Sequence, residues 1–150
     1  MIVPPHPAAF GPPATATASR VPIRVRFAET DLMAIVHHGS YLLYVEEARV
    51  EYLRRRGARY QDWIARDMHF PVVDQRVRYR AAARFADELV VLTWVGNVTR
   101  VSLRFDYQIL RGEQALAEAY TTLACVNGHH VPRPIERSVL DQVLSQESCP

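Results

Sequence analysis

The chain has 150 residues and a formal net charge of +2; its 18 basic residues are all Arg. This length favours a single domain with its own core, and so small a net charge gives no argument for a nucleic-acid partner. Hydrophobic residues make up 49%, but no run is long enough to span a membrane. Two cysteines, Cys125 and Cys149, do not make a disulfide framework, and no signal peptide is evident. We therefore expect a reducing, cytoplasmic setting.

The first elements along the chain are a tail and a strand. Residues 1–20 are rich in Pro and Ala, and such a segment packs poorly, so we expect a flexible tail. Residues 21–27 then alternate between apolar and polar side chains, which predicts a half-buried strand.

A long helix is predicted over residues 40–56. Apolar side chains recur there at helical spacing and form one stripe. The stripe consists of Tyr41, Val45, Ala48 and Tyr52. Ser40 is the predicted N-cap, Glu51 and Arg55 an i,i+4 ion pair, and Gly57 the left-handed residue after the helix.

The remainder of the chain is predicted to be mostly sheet. A short helix is expected over 59–66, and a helical turn over 138–144. Between them the pattern changes to period two, which predicts strands over 73–80, 87–95, 101–109 and 115–126. We expect these four strands in hairpin succession and antiparallel, with the long helix covering one face. The predicted fold is α+β, a curved antiparallel sheet of about five strands around one central helix, and its exposed edge predicts a dimer.

Residues 28–49, AETDLMAIVHHGSYLLYVEEAR, resemble the signature of hotdog-fold acyl-CoA thioesterases of the 4-hydroxybenzoyl-CoA thioesterase type. They are especially similar to the branch that contains the Tol-Pal-associated and enediyne-polyketide thioesterases. Weaker matches follow in order, FPVVDQRVRYRAAARFADEL and VPRPI, so the resemblance covers residues 22 to about 144. It implies a hotdog domain over 21–150 that acts as a homodimer or homotetramer, with the active site at the dimer interface. It also implies acyl-CoA hydrolysis without a cofactor, because coenzyme A is part of the substrate.

The resemblance assigns roles to individual residues. The family's catalytic carboxylate, the acid of the TD pair, corresponds to Asp31, and its oxyanion donor, a backbone N–H at the helix start, falls on His38. The family commonly has Gly at the position of Ala34, so Ala34 implies a turn that needs no positive φ or is reshaped. His37 replaces an aromatic residue that lines the acyl pocket. The candidate substrate-binding residues are His37, Gly39, Ser40, Tyr41 and Glu46.

These residue types suit thioester hydrolysis. An unperturbed thiol has a pKa of about 8.5, so the thiolate departs without a strong general acid. The site must still supply a nucleophile and stabilise the oxyanion. Asp31 can activate water or attack the carbonyl itself, and both routes stay open. Amides at a helix N-terminus can stabilise the oxyanion, by roughly 3 kcal/mol for each well-placed donor.

Simpler structural roles stay open beside these. Asp31 is also a typical turn residue, and Tyr41 is typical of core or dimer packing. Glu46, early in the helix, can interact favourably with the helix dipole and form an ion pair with Arg49. The adjacent histidines 37 and 38 cannot share one helix face, so we expect no metal site.

Other functions are weighed against acyl-CoA hydrolysis. One is a polyketide thioesterase specific for an acyl-carrier protein, and another is an acyl-CoA-binding module without turnover. Arg76, Arg78 and Arg80 alternate along one strand face, which is either solvated or a site for the phosphates of coenzyme A. We expect no nucleic-acid partner and no integral membrane segment.

Overall fold

The computed structural model of the protein describes residues 11–12 and 17–148. The elements are β1 (Ser19–Arg24), a 3-10 turn (Phe27–Glu29), α1 (Ser40–Arg54), α2 (Tyr60–Ile64), β2 (Val72–Tyr79), β3 (Glu88–Val98), β4 (Ser102–Arg111), β5 (Gln114–Ala124) and α3 (Arg137–Val143). Helices and strands follow one another in the predicted order. Most of the predicted tail, and Cys149, lie outside the described residues, and β1 begins at Ser19.

The five strands form one antiparallel sheet with the order β1-β3-β4-β5-β2. β3, β4 and β5 follow each other as predicted, but the predicted hairpin between β2 and β3 is wrong. Both edges of β3 are already occupied, by β1 and β4, so β2 pairs with the free edge of β5, where Tyr79 lies opposite Ala117. β2 is therefore an edge strand of the described sheet.

α1 packs against one face of the sheet. Its predicted stripe is buried, with Tyr41, Val45, Ala48 and Tyr52 at most 3% exposed. The inward residues of β4 are fully buried as well; they are Leu103, Phe105, Tyr107 and Ile109. The Tyr52 and Phe105 rings meet edge to face at 5.5 Å. The expected α+β arrangement, a sheet with one long helix on its face, is confirmed.

The two ends of α1 differ in how well the sequence predicts them. Ser40 is the first helical residue and not the N-cap, which is Gly39. The prediction fails because the Ser40 hydroxyl donates to the Glu29 carbonyl (3.3 Å), away from the free helical N–H groups. At the other end Gly57 has φ +69°, and Glu51 pairs with Arg55 at 2.8 Å, both as predicted.

No helix within the described residues combines the length and the apolar character needed to cross a bilayer.

Candidate functional site

A cleft of about 420 Å³ opens at the N-terminal end of α1. The loop before the helix, the first turn of α1 and the chain at the end of β2 form its walls. The lining residues are Asp31, Ile35, Val36, His38, Tyr41, Tyr79, Arg80, Ala81 and Ala82. Three of the residues singled out from the sequence, Asp31, His38 and Tyr41, thus share one cleft within a single protomer.

Glu29 organises the loop that carries Asp31. Its carboxylate is 7% exposed and accepts hydrogen bonds from the Tyr44 hydroxyl (2.7 Å) and from the backbone N–H and Nε of Arg26 (both 2.8 Å). Its carbonyl accepts the His37 N–H at 2.8 Å, which ties the far end of the loop to the near end. Burial alone would raise the pKa of Glu29, but the bonds from Arg26 and Tyr44 outweigh it, and the pKa lies below its usual value.

This role of Glu29 was not predicted from the sequence. The available signal was the spacing of Arg26 and Glu29, three residues apart around the 3-10 turn, where the Glu29 carboxylate accepts both the backbone N–H and the side chain of Arg26.

Replacing Glu29 by Gln is expected to destabilise the fold by about 1–3 kcal/mol near pH 7, because the buried Tyr44 hydroxyl and the part-buried Arg26 N–H lose an ionised acceptor. The lowered pKa fixes the pH dependence: stability that is present above the unfolded-state pKa of 4.5 is lost as the pH falls towards the lower folded-state value. Urea unfolding at pH 7 and at pH 3.5 measures both effects. The difference in the free energy of unfolding between variant and wild type should be smaller at pH 3.5 than at pH 7. A difference of equal size at both pH values would contradict the role of an ionised Glu29. Glu113→Gln, in the exposed turn after β4, is the control and should change little at either pH.

Asp31 lies in a tight turn inside this loop. Its N–H donates to the Ile35 carbonyl and its own carbonyl accepts the Ala34 N–H, both at 2.9 Å. The carboxylate oxygen Oδ1 accepts the Met33 N–H at 2.8 Å, so Asp31 does have the turn role. The other oxygen, Oδ2, accepts no hydrogen bond from the described residues. Asp31 therefore offers one carboxylate oxygen that none of the described residues uses.

Ala34 corrects one expectation. Its φ is +57°, so the turn keeps the left-handed geometry that glycine adopts freely, and the first of the two alternatives, a turn without positive φ, is wrong. An alanine there is less stable than glycine by roughly 1 kcal/mol. The tight bonding around Asp31 holds Ala34 in this conformation.

The backbone amides at the start of α1 differ in how they are used. The Ser40 N–H donates to the His37 carbonyl (2.9 Å), and the Gly39 N–H donates to the Nδ1 atom of His37 (3.0 Å). The His38 N–H meets no acceptor in the described part of the chain. Among these three amides it alone is left for a ligand, and the sequence assigned the oxyanion to this same amide.

The other candidate residues occupy different surroundings. Tyr41 is 3% exposed and its hydroxyl accepts the Ala83 N–H at 3.4 Å, so Tyr41 belongs to the core as well as to the cleft wall.

Glu46 lines a second cleft of about 360 Å³ on the outer side of α1, away from Asp31 within one protomer. Arg49 is buried and donates to the Tyr107 hydroxyl (3.2 Å); the pairing with Glu46 does not occur among the described ion pairs. Substrate binding by Glu46 stays a prediction.

Two further features bear on alternative chemistry. Within residues 11–12 and 17–148, no group of three or more His, Cys, Asp or Glu side chains is arranged to hold a metal ion. Of the arginines considered for phosphate binding, Arg80 forms an ion pair with Glu118 at 3.0 Å. Arg76 lies opposite Tyr120 on the outer face of the sheet and is exposed, so the phosphate-binding hypothesis now depends mainly on Arg76 and its neighbour Arg78.

Comparison with known proteins connects this architecture to a family. Residues 25–143 match the family model of the thioesterase-like superfamily. The acyl-CoA thioester hydrolase YbgC of Escherichia coli O6:H1 is 33% identical over 126 residues, covering 83% of this chain and 94% of YbgC.

Solved structures agree. The hypothetical protein TT1821 of Thermus thermophilus superposes with a TM-score of 0.78 at 37% identity, over 85% of this chain and 99% of TT1821. A DHNA-CoA thioesterase of Staphylococcus aureus superposes with a TM-score of 0.76 at 28% identity, over 83% and 85% of the two chains. The match over residues 25–143 establishes that the protein belongs to the thioesterase-like superfamily, and the predictions of a hotdog fold and of a thioesterase are confirmed at that level.

Proposed function

We propose that the protein hydrolyses the thioester bond of an acyl-coenzyme A, with Asp31 as the base or nucleophile and the His38 N–H as an oxyanion donor. The observation that carries the proposal is the common cleft of Asp31 and His38, in which one carboxylate oxygen and one backbone N–H have no partner in the described chain. The names of two relatives, acyl-CoA thioester hydrolase and DHNA-CoA thioesterase, support the substrate class.

The reaction follows from these two groups. In the first route Oδ2 of Asp31 removes a proton from water while the water oxygen bonds to the thioester carbon. Negative charge then develops on the carbonyl oxygen, where the His38 N–H and the positive end of α1 stabilise it. Collapse of this intermediate breaks the C–S bond, and the departing thiolate receives the proton. In the second route a carboxylate oxygen of Asp31 bonds to the thioester carbon, the C–S bond breaks and the thiolate departs; water then hydrolyses the resulting anhydride, which releases the acid and restores the Asp31 carboxylate. Both routes use the same residues.

We also propose that the protein assembles as a homodimer or homotetramer. β2 is an exposed edge strand, and its apolar residues Val72 and Val73 are 47% and 61% exposed. An unpaired edge with apolar side chains favours pairing with a second copy. The cytoplasmic location and the more specific branch of the family stay predictions.

The test is release of free thiol from a panel of short, long and aromatic acyl-CoA thioesters. We expect turnover on at least one member, with kcat/KM above roughly 10⁴ M⁻¹s⁻¹ on the preferred substrate. If every acyl-CoA raises the unfolding temperature but none releases thiol, the protein is a binding module.

The preferred acyl chain should also be offered on an acyl-carrier protein. A rate much higher there, and falling steeply with salt, would move the assignment to a carrier-protein thioesterase that uses its Arg-rich surface.

A further inference from the structure

The peptide that joins His38 to Gly39 is held at both of its polar ends. The Tyr79 hydroxyl donates to the His38 carbonyl oxygen at 2.8 Å, and the Gly39 N–H donates to His37 Nδ1 at 3.0 Å. A peptide unit is planar and rigid, so two bonds at opposite ends fix its rotation.

The preceding peptide, between His37 and His38, carries the free N–H and is also held. Its carbonyl accepts the Ser40 N–H at 2.9 Å, and the His37 N–H before it is bound to Glu29. Both peptides that flank the His38 Cα atom are thus fixed, and the direction of the His38 N–H follows from their positions. Of the side chains that fix them, Tyr79 is the one that comes from the sheet.

Tyr79 is itself held firmly. It is the last residue of β2, pairs with Ala117 of β5, and the following Arg80 N–H donates to the Leu116 carbonyl at 2.8 Å. Its ring packs edge to face against Tyr41 at 5.1 Å, and Tyr41 is a buried residue of the first turn of α1. Tyr79 therefore connects the edge of the sheet to the start of the helix.

We propose that Tyr79 is a positioning residue for thioester hydrolysis: its hydroxyl holds the His38–Gly39 peptide, and through it the His38 N–H, in the direction that the oxyanion requires. This inference rests on the function proposed above. A donor stabilises developing charge best when it needs no rearrangement during the reaction, so loosening this peptide lowers the rate. Tyr79 is 47% exposed and acts through the backbone of His38, not as an acid or base.

Tyr79→Phe tests the inference, because it removes the hydroxyl and keeps the ring that packs on Tyr41. We expect kcat to fall about three- to tenfold, the change that corresponds to one hydrogen bond. KM for the preferred acyl-CoA should stay within about twofold of wild type, and the urea unfolding midpoint should stay close to the wild-type value. Tyr120→Phe removes a hydroxyl from the outer face of the same sheet, where the ring lies under Arg104, and should leave kcat unchanged.

Three outcomes would overturn the inference. One is a wild-type kcat for Tyr79→Phe; another is a raised KM with an unchanged kcat, which indicates direct contact with substrate. A third is a lost kcat accompanied by a matching loss of stability, which indicates a purely structural role. Asp31→Asn, measured in parallel, separates failure of this inference from failure of the proposed function. If Asp31→Asn is inactive and Tyr79→Phe is normal, the positioning role fails and the proposed function stands, whereas an active Asp31→Asn removes the proposed mechanism itself.

Discussion

Replacing Asp31 by Asn is expected to lower kcat for acyl-CoA hydrolysis by roughly 10²–10⁴-fold, which is the usual contribution of a general base. An amide can neither accept the proton of water nor attack the thioester carbon. The turn should survive, because Asn keeps the Oδ1 acceptor for the Met33 N–H. Thermal unfolding should therefore change by a few degrees at most, and steady-state thiol release measures the loss of turnover.

Asp67 supplies a matched control for this experiment. It is also an aspartate in a turn, exposed where Asp31 is half-buried, with φ +56°; its Oδ1 accepts the Gly128 N–H at 2.7 Å, but it does not line the cleft of Asp31. Asp67→Asn should keep wild-type turnover, which shows that loss of an aspartate charge in a turn does not by itself inactivate the enzyme. Turnover of Asp31→Asn within about twofold of wild type would remove Asp31 from the mechanism.

Local sequence patterns predicted the elements because each pattern reflects burial on one face. The helical stripe from Tyr41 to Tyr52 and the alternation from Leu103 to Ile109 point to the core as expected. The position of β2 was not predictable in this way. Pairing of β2 with β5 is a non-local choice, made because β1, the first strand of the chain, already occupies the free edge of β3.

The candidate site was predictable only in part, for a similar reason. The motif places Asp31 and His38 in the same loop-and-helix segment, and both line one cleft in the structure; their catalytic roles stay predictions. The partners of the loop come from distant positions. Tyr44 reaches Glu29 across 15 residues and Tyr79 reaches His38 across 41, so no local pattern reveals them.

Two arginines, Arg49 in α1 and Arg56 just after it, are buried although charged side chains are mostly exposed. The Arg49 side chain lies against Tyr107 in the core and not against Glu46, the partner that the sequence suggested. Arg56 is 4% exposed and binds Ser145 and Ser19, which are far apart in the sequence.

Arg56 holds the segments around Ser19 and Ser145 against the end of α1. Its Nη1 donates to Ser19 Oγ (2.8 Å) and to the Tyr52 carbonyl (3.0 Å), and its Nε donates to the Ser145 carbonyl (2.9 Å). The guanidinium also lies 3.4 Å from the centre of the Tyr52 ring, which adds a cation–π contact. Burial lowers the pKa of Arg56, and the nearest carboxylate, that of Glu147, is 3.9 Å away. Hydrogen bonds to neutral oxygens therefore carry most of the interaction.

Arg56→Met is accordingly expected to destabilise the fold by about 3 kcal/mol or more, because it leaves the Ser19 hydroxyl and the Ser145 carbonyl without their donor in a buried site. The measurement is urea unfolding at one fixed protein concentration, since any assembly would add to the apparent stability. Arg54→Met is the control: Arg54 is 69% exposed and pairs with Glu51 on the surface of α1, so its loss should change stability far less than the loss of Arg56. Equal effects of the two substitutions on stability would show that Arg56 acts only as a surface charge near the helix end. The segments around Ser19 and Ser145 would then have to be held by the packing around Tyr52.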